Sequence, residues 1–362
     1  MSAKDAAAKV VRPEIQAMHA YQVSDATGMV KLDVMESPYR LPPGLAAEIG
    51  DVVSRVAMNR YPVPSATELR ALIRDVMQVP AGCDVLLGNG SDECIQYITA
   101  ALARDGAVVM APTPSFAMFA MHALFYRLRF VDIPLREDFA LDVEAFLEAM
   151  AKEKPALVWM AFPNNPTGNA FPVADIERIV RAAPGLVVID EAYQPFAGAT
   201  FMPRLAEFDN MVVMRTVSKI GMAGLRLGYV CGQLDWIEAF NKTRSPFNIN
   251  VLTEAVAIKL LQNKKVLDAQ AAKTLEERER VRTELERLPG LKVHPSAANF
   301  LLARVVGGKG TGTRVFEDMK RQGVLVKDFS GGHPLMDNCL RLTIGTPDEN
   351  RTMVAALKEA LR

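Results

Sequence analysis

The sequence predicts an α/β fold: a large, mostly parallel sheet with helices on both faces, joined to a smaller α+β unit. Three observations carry this expectation. Short apolar runs such as Leu186-Val187-Val188-Ile189 alternate with longer stretches of helical period, the pattern of strands that lie side by side through crossover helices. Several runs end in Gly, Asn, Asp or Pro, which close a strand. A long charged helical stretch, residues 266–288, then separates this alternation from a second, shorter group of strands. At 362 residues the chain also exceeds one usual core, so two units are expected from length alone.

Taken in order, residues 1–40 read as an arm with little helix or strand of its own, held extended by Pro38, Pro42 and Pro43 and of a kind that crosses to a neighbouring subunit. Residues 41–265 form the large unit. It opens with a helix over about Gly44–Asn59, closed by Arg60-Tyr61-Pro62, and a second over Ser65–Met77. A strand at Asp84–Leu87 leads through Gly88-Asn89-Gly90-Ser91-Asp92 into a helix ending at Ala103. Such a Gly-rich turn leaves N–H groups and a positive dipole end facing whatever lies above, which suits a phosphate; a tight turn capped by Ser91 or Asp92 is the plainer alternative. Strands at Ala107–Ala111 and Phe130–Ile133, a helix at Asp142–Lys152 and a strand at Ala156–Phe162 follow. After the rigid segment Pro163–Gly168 come a helix at Val173–Ala182 and the strand Leu186–Ile189, which runs into Asp190-Glu191-Ala192-Tyr193.

Residues 266–362 form the small unit. Its long first helix, stopped by Pro289-Gly290, connects the two units. Strands are expected at Ala298–Val305, Gly323–Val326 and Leu340–Ile344, with a helix at Thr313–Gln322. Thr346-Pro347-Asp348-Glu349 is a capping box with Pro in first position, opening the terminal helix.

Composition excludes several classes. The 42 basic residues balance 42 acidic ones, so the surface offers no general attraction to nucleic acid or anionic membrane. The longest apolar stretch, Ala117–Leu128, is interrupted by His122 and too short to span a bilayer. The start carries charges on both sides of Asp5 and no apolar signal core, so a cytoplasmic location is expected. Cys83, Cys94, Cys231 and Cys339 form no C-x-x-C pair, and the four His show no ligand spacing. Neither a disulfide nor a metal site is expected.

The chemistry concentrates at residues 212–228. A β-branched run ends in Arg215-Thr216, followed by Ser218, Lys219, small residues and Arg226. Hydroxyls donate to phosphate oxygens, the Arg fork clamps them, and the lysine forms a Schiff base with an aldehyde. This set suits pyridoxal 5′-phosphate. Asn165, Asp190, Lys219 and the 88–92 turn all fall at carboxyl ends of strands, where open sheets bind ligands. Asp190 is the candidate carboxylate for the pyridine nitrogen, and Tyr193 and Asn165 for the ring's phenolic oxygen. Lys219 holds the cofactor and acts as general base. Phe116, in a Pro-rich turn after a strand, is placed either against the ring face or in the core.

Through these residues the chain resembles the fold-type I pyridoxal-phosphate aminotransferases, and within them the histidinol-phosphate aminotransferases. The resemblance spans almost the whole chain, and its most specific parts are PNNPTG at 163–168, DEAY at 190–193, RTVSK at 215–219 and GLRLGY at 224–229. It implies a large cofactor domain, a smaller domain made from both chain ends, and a homodimer with shared sites. It also implies that Gly90, Ser91, Asp92, Thr216, Ser218 and Arg226 surround the cofactor phosphate, with Tyr61 reaching the phosphate of the neighbouring subunit. Arg341 matches an Arg that grips the substrate's anionic group, and Tyr21 a Tyr for the substrate phosphate.

The match has departures. Leu32-Asp33-Val34-Met35-Glu36-Ser37-Pro38-Tyr39 lacks two amides of the usual pattern, Phe116 stands where Tyr is usual, and Lys327 replaces a second phosphate-binding Arg. Apart from these departures, the resemblance implies transfer of an amino group from histidinol phosphate to 2-oxoglutarate. An aminotransferase for an aromatic or other amino acid and a threonine-phosphate decarboxylase-like lyase stay open beside it. A binding module derived from this fold is disfavoured, because Lys219, Asp190 and Tyr193 are all present.

Overall fold

The computed structural model describes residues 2–20 and 24–362. The arm holds more structure than expected. Ser2 opens helix α1 (Ala3–Val10) with a capping box closed by Asp5, and α2 (Pro13–Gln16) and strand β1 (Val30–Lys31) follow. The prolines at 38–43 keep only the end of the arm extended, whereas the Ala-rich composition and the cap at its start favour helix.

The two helices expected next are α3 (Pro43–Ser54) and α4 (Thr67–Val76), each shorter than the sequence pattern suggested. Seven strands then build the main sheet: β2 (Cys83–Asn89), β3 (Val108–Thr113), β4 (Arg129–Pro134), β5 (Leu157–Ala161), β6 (Leu186–Asp190), β7 (Met211–Thr216) and β8 (Leu227–Gln233). Their order is β2-β8-β7-β6-β5-β3-β4, and only the pairings of β8 with β2 and with β7 are antiparallel. The strand β8 was not expected, because Gly228 and Gly232 interrupt its apolar run. Gly228 is needed there for close approach: a Cβ on it would lie 2.5 Å from the backbone of Gly90 and Ser91.

The central strands are apolar on both faces because both are covered. In β6, Val187 and Ile189 join one core with helices α7 (Val143–Glu153) and α8 (Val173–Ala182), whereas Leu186 and Val188 join another with α5 (Ser91–Leu102), α6 (Met118–Phe125) and α9 (Leu234–Asn241). The apolar stretch at 117–128 contains α6, and α9 and α10 (Val251–Gln262) were also unforeseen, since their apolar residues follow no clean helical face.

Helix α11 (Lys264–Leu285) leads to a four-stranded antiparallel sheet of β9 (Leu291–Val293), β10 (Phe300–Val305), β12 (Lys327–Asp328) and β13 (Cys339–Thr343), in the order β12-β13-β10-β9. The strand expected at Gly323–Val326 is instead β11 (Val324–Leu325), which pairs parallel with β1, so the arm and the C-terminal unit share one small sheet. Helices α12 (Thr311–Arg321) and α13 (Pro347–Ala360) cover this unit, and Leu32 from the arm sits in its core. Among the described residues no helix is long and apolar enough to cross a membrane.

The capping box of α13 is present as read: the Thr346 hydroxyl accepts from Glu349 N–H at 3.3 Å, and Glu349 accepts from Thr346 N–H at 2.7 Å. Thr346→Ala should cost about 1 kcal/mol, measured as a lower urea midpoint with an unchanged slope.

Candidate active site

The carboxyl ends of β5, β6 and β7 and the amino end of α5 converge on a cavity of about 220 Å³. Ser91, Asp92, Phe116, Asn165, Asp190, Tyr193, Thr216, Ser218, Lys219 and Arg226 all line it. Ten of the expected residues thus meet in one place, although they are spread over some 135 positions of the chain.

One end of the cavity is built for an anion. Gly90 caps α5 at φ +79°, and having no side chain it leaves the first N–H groups of the helix facing outward. A Cβ at Gly90 would come within 2.7 Å of Arg226 Nη2, which a flexible side chain can relieve; it is the φ of +79° that favours glycine there. Asp92 accepts from Arg226 Nη2 at 3.1 Å, but both side chains are about half exposed, and such a pair is worth little in water. The guanidinium is therefore oriented yet easily drawn to a ligand. Opposite, Thr216 Oγ1 lies 2.9 Å from Ser218 Oγ and accepts from Ser218 N–H at 3.1 Å.

The other end holds the acid and the base. Asp190 is buried at the tip of β6 and accepts from Ala192 N–H at 3.0 Å. Burial pushes its carboxyl pKa up to about 7; that N–H and Lys219 oppose the rise, and Asp92 and Glu191 add to it. Lys219 donates to the Val34 carbonyl at 2.9 Å and stands 5.8 Å from the centre of the Tyr193 ring. Burial brings its amine down to about 8, helped by Arg341 and Arg226 and opposed by Glu36 and Asp92. A lysine near that value carries a useful fraction of free amine at neutral pH.

Arg341 stands on β13, where Nη1 donates to Asn165 Oδ1 at 2.5 Å and Nη2 to the Asp33 carbonyl at 2.8 Å. Its guanidinium lies 5.5 Å from the Phe300 ring and 5.2 Å from the Phe329 ring. Lys327 is directly opposite Arg341 across the antiparallel β12–β13 pair, so the two side chains share one face of the sheet. Tyr61 lies outside its own chain's cavity, 81% exposed and stacked on Phe247 at 4.7 Å. Tyr21 falls outside the described residues.

Val34, Met35 and Glu36 also line the cavity, a role the sequence reading did not assign. The motif at 32–39 carries the signal, but no apolar run or helical period around it ties the segment to the sheet edge. Met35 holds φ +57°, and its N–H and carbonyl are fixed by Thr343 at 3.3 Å and Asn299 at 3.1 Å. That is a strained conformation for a side chain other than Gly or Asn. Among the described residues no cluster of His, Cys, Asp and Glu could hold a metal ion. A helix amino end opened by glycine beside Arg226, a buried amine and a buried carboxyl fit the three ends of pyridoxal 5′-phosphate: phosphate, aldehyde and ring nitrogen.

Comparison with known proteins agrees with this geometry. The family model for aminotransferase class I and II matches residues 27–357. Histidinol-phosphate aminotransferase 2 of Cupriavidus pinatubonensis is 54% identical over 98% of this chain and 97% of its own length. Histidinol-phosphate aminotransferase 1 of Ralstonia nicotianae is 52% identical over 100% and 97%. Among solved structures, histidinol-phosphate aminotransferase from Sinorhizobium meliloti in complex with pyridoxal-5′-phosphate superposes with a TM-score of 0.87 at 25% identity, covering 98% of each chain. With the family model spanning most of its length and the expected residues gathered in one cavity, this chain belongs to the aminotransferase class I and II family.

Proposed function

We propose that this enzyme exchanges amino groups between L-histidinol phosphate and 2-oxoglutarate, using pyridoxal 5′-phosphate and working as a homodimer with shared sites. The observation that carries the substrate assignment is the pair of cations on one face, Lys327 opposite Arg341, beside a cavity-lining Asn165. Like charges placed directly opposite across a strand pair repel, and a dianionic phosphate monoester relieves that repulsion. The names of the 52–54% identical relatives support the same reading.

Bound pyridoxal 5′-phosphate supplies an aldehyde and a ring that takes up the electrons of a breaking Cα–H bond. Thr216, Ser218, Arg226 and the N–H groups that follow Gly90, those of Ser91 and Asp92, hold its phosphate. The Asp92 carboxylate serves by orienting Arg226, since a second anion beside a phosphate would repel it. Asp190 keeps a proton at the ring nitrogen, Tyr193 and Asn165 bind the phenolic oxygen, and Phe116 packs on the ring face. Lys219 Nζ would hold the aldehyde carbon, and as a free amine it would move the proton between the substrate's Cα and that carbon. Arg341, Lys327 and Tyr21 hold the substrate phosphate, and Tyr61 completes the neighbouring subunit's phosphate site.

Borohydride treatment of the loaded enzyme should fix the cofactor to one peptide, the one containing Lys219; label elsewhere would remove Lys219 from its role. Lys219→Ala should slow turnover by at least about 10²-fold, through loss of the general base. If Tyr61 acts across the dimer, Tyr61→Phe and Lys219→Ala proteins should each be impaired, and co-assembled hybrids of the two should regain activity in one site of each pair. No regain in hybrids proven by mass to contain both chains would confine Tyr61 to a surface role. Arg341→Ala should lower kcat/KM for histidinol phosphate by roughly two to three orders of magnitude, equivalent to about 3–4 kcal/mol. Lys327→Ala should lower it less, and Lys327→Arg should keep or raise it, because the planar fork grips phosphate in two places. A preference for an aromatic amino acid, with Lys327→Ala neutral, would move the substrate assignment and leave the aminotransferase assignment standing.

A further inference from the structure

Behind the acid and the base of the site lies a buried ion pair that the reaction as described does not use. Strand side chains alternate between faces. In β6 and β7, Val188 and Met214 point to one core and Ile189 and Val213 to the other. The same alternation puts Asp190 and Thr216 on one face and Glu191 and Arg215 on the opposite face. Glu191 and Arg215 meet there: Nε donates to Glu191 Oε2 at 2.9 Å and Nη2 to the same oxygen at 2.7 Å. The Glu191 side chain is fully buried, and that of Arg215 is 7% exposed.

Glu191 does more than pair with Arg215. Its carboxylate also takes the Phe201 N–H at 2.5 Å and the Thr200 hydroxyl at 2.8 Å. These bonds close the loop 191–201, which carries Tyr193. Arg215 Nη2 adds a bond to Thr200 Oγ1 at 2.7 Å. One carboxylate thus ties together the tip of β6 beside Asp190, the loop of Tyr193, and the tip of β7 that leads to Thr216, Ser218 and Lys219.

We propose that Glu191 and Arg215 are positioning residues of the cofactor site, fixing Asp190, Tyr193 and Thr216 in mutual register and setting by their charge balance how tightly Asp190 holds its proton. The groups whose charge bears on Asp190 are Asp92 and Cys94 from α5, Lys219 from the segment after β7, and Glu191, its neighbour in the chain on the opposite face. Tyr229 from β8 stands against Arg215. The Glu191 anion favours the protonated form of Asp190, and the Arg215 cation, bonded to that carboxylate, opposes it. Removal of one leaves the other unbalanced, and the sign depends on which is removed. A lone Arg215 cation favours the Asp190 carboxylate and releases the proton at lower pH. A lone Glu191 anion retains it to higher pH.

This rests on Asp190 facing the ring nitrogen, and the test separates the two ideas. The holoenzyme is loaded with pyridoxal 5′-phosphate labelled with ¹⁵N in the ring, and the pH at which the nitrogen loses its proton is followed by NMR. Asp190→Asn should abolish the high wild-type midpoint; if it leaves the midpoint unmoved, the role of Asp190 fails. Glu191→Gln should then shift the midpoint down and Arg215→Met should shift it up. Arg215→Lys, which keeps the charge, should restore the wild-type midpoint. The double variant Glu191→Gln with Arg215→Met buries no lone charge, so it keeps the test open if a single variant fails to fold, and its midpoint should return close to that of the wild type. Shifts of one sign for both single variants, or a double variant displaced as far as either, would overturn the charge-balance role and leave the pair a structural brace.

Discussion

The structure turns on the guanidinium of Arg341, where three separate parts of the chain are fastened together. Arg341 belongs to β13 of the C-terminal sheet, Asn165 follows β5 of the main sheet, and Asp33 belongs to the arm. A buried cation with no partners would cost far more than the fold could spare. Here the cost is offset by short charge-assisted bonds to Asn165 and Asp33 and by the faces of Phe300 and Phe329. Because one of its partners lines the cavity, anything that draws on Arg341 from within is felt at once by both sheets and the arm. On the proposed role of Arg341, the residue that grips substrate and the residue that sets the shape of the site are one.

The arm is held by more than Arg341. Its successive carbonyls at Asp33, Val34 and Met35 accept from Arg341, Lys219 and Asn299 respectively. Three adjacent acceptors bound to three different segments leave the backbone no freedom to relax, which is how Met35 is kept at φ +57°. Strain of this kind persists only where the surroundings over-determine it. In this way residues 34–36 become a wall of the cavity, even though they precede every strand of the main sheet.

What was legible in the sequence follows from the same physics. Strand tips carry local signals: Asn165, Asp190 and Lys219 each sit at the end of an apolar run, and one sheet brings all such ends to one edge. The anion-binding turn at Gly90 was legible because glycine there answers a local need for positive φ. Long-range features left weaker traces. The reversal of β8 depends on Gly228 fitting against Gly90 and Ser91, 138 and 137 positions away, and no local pattern encodes such a meeting. Glu191 and Arg215 were visible inside their motifs but have meaning only as a pair, 24 positions apart and facing away from the site. The split of residues 323–328 between two sheets depends likewise on β1, which completes one of them from the far end of the chain.

Burial acts on Asp190 and Lys219 in the same sense, penalising the charged form whichever its sign. The carboxyl rises from its ordinary 3.8 to about 7 and the amine falls from 10.5 to about 8. A raised acid adds stability below its unfolded pKa and loses it as pH climbs through the folded value, so the burden of Asp190 is complete above about 7. A lowered amine adds stability above its unfolded pKa and loses it as pH falls through the folded value, so the burden of Lys219 is complete below about 8. Between those values the chain by itself carries most of the cost of both charges. On the proposed roles, Asp190 would pair with a protonated ring nitrogen and Lys219 would bond the aldehyde carbon, and both burdens would be lifted together. The same arrangement that makes the site unfavourable on its own thus makes it bind.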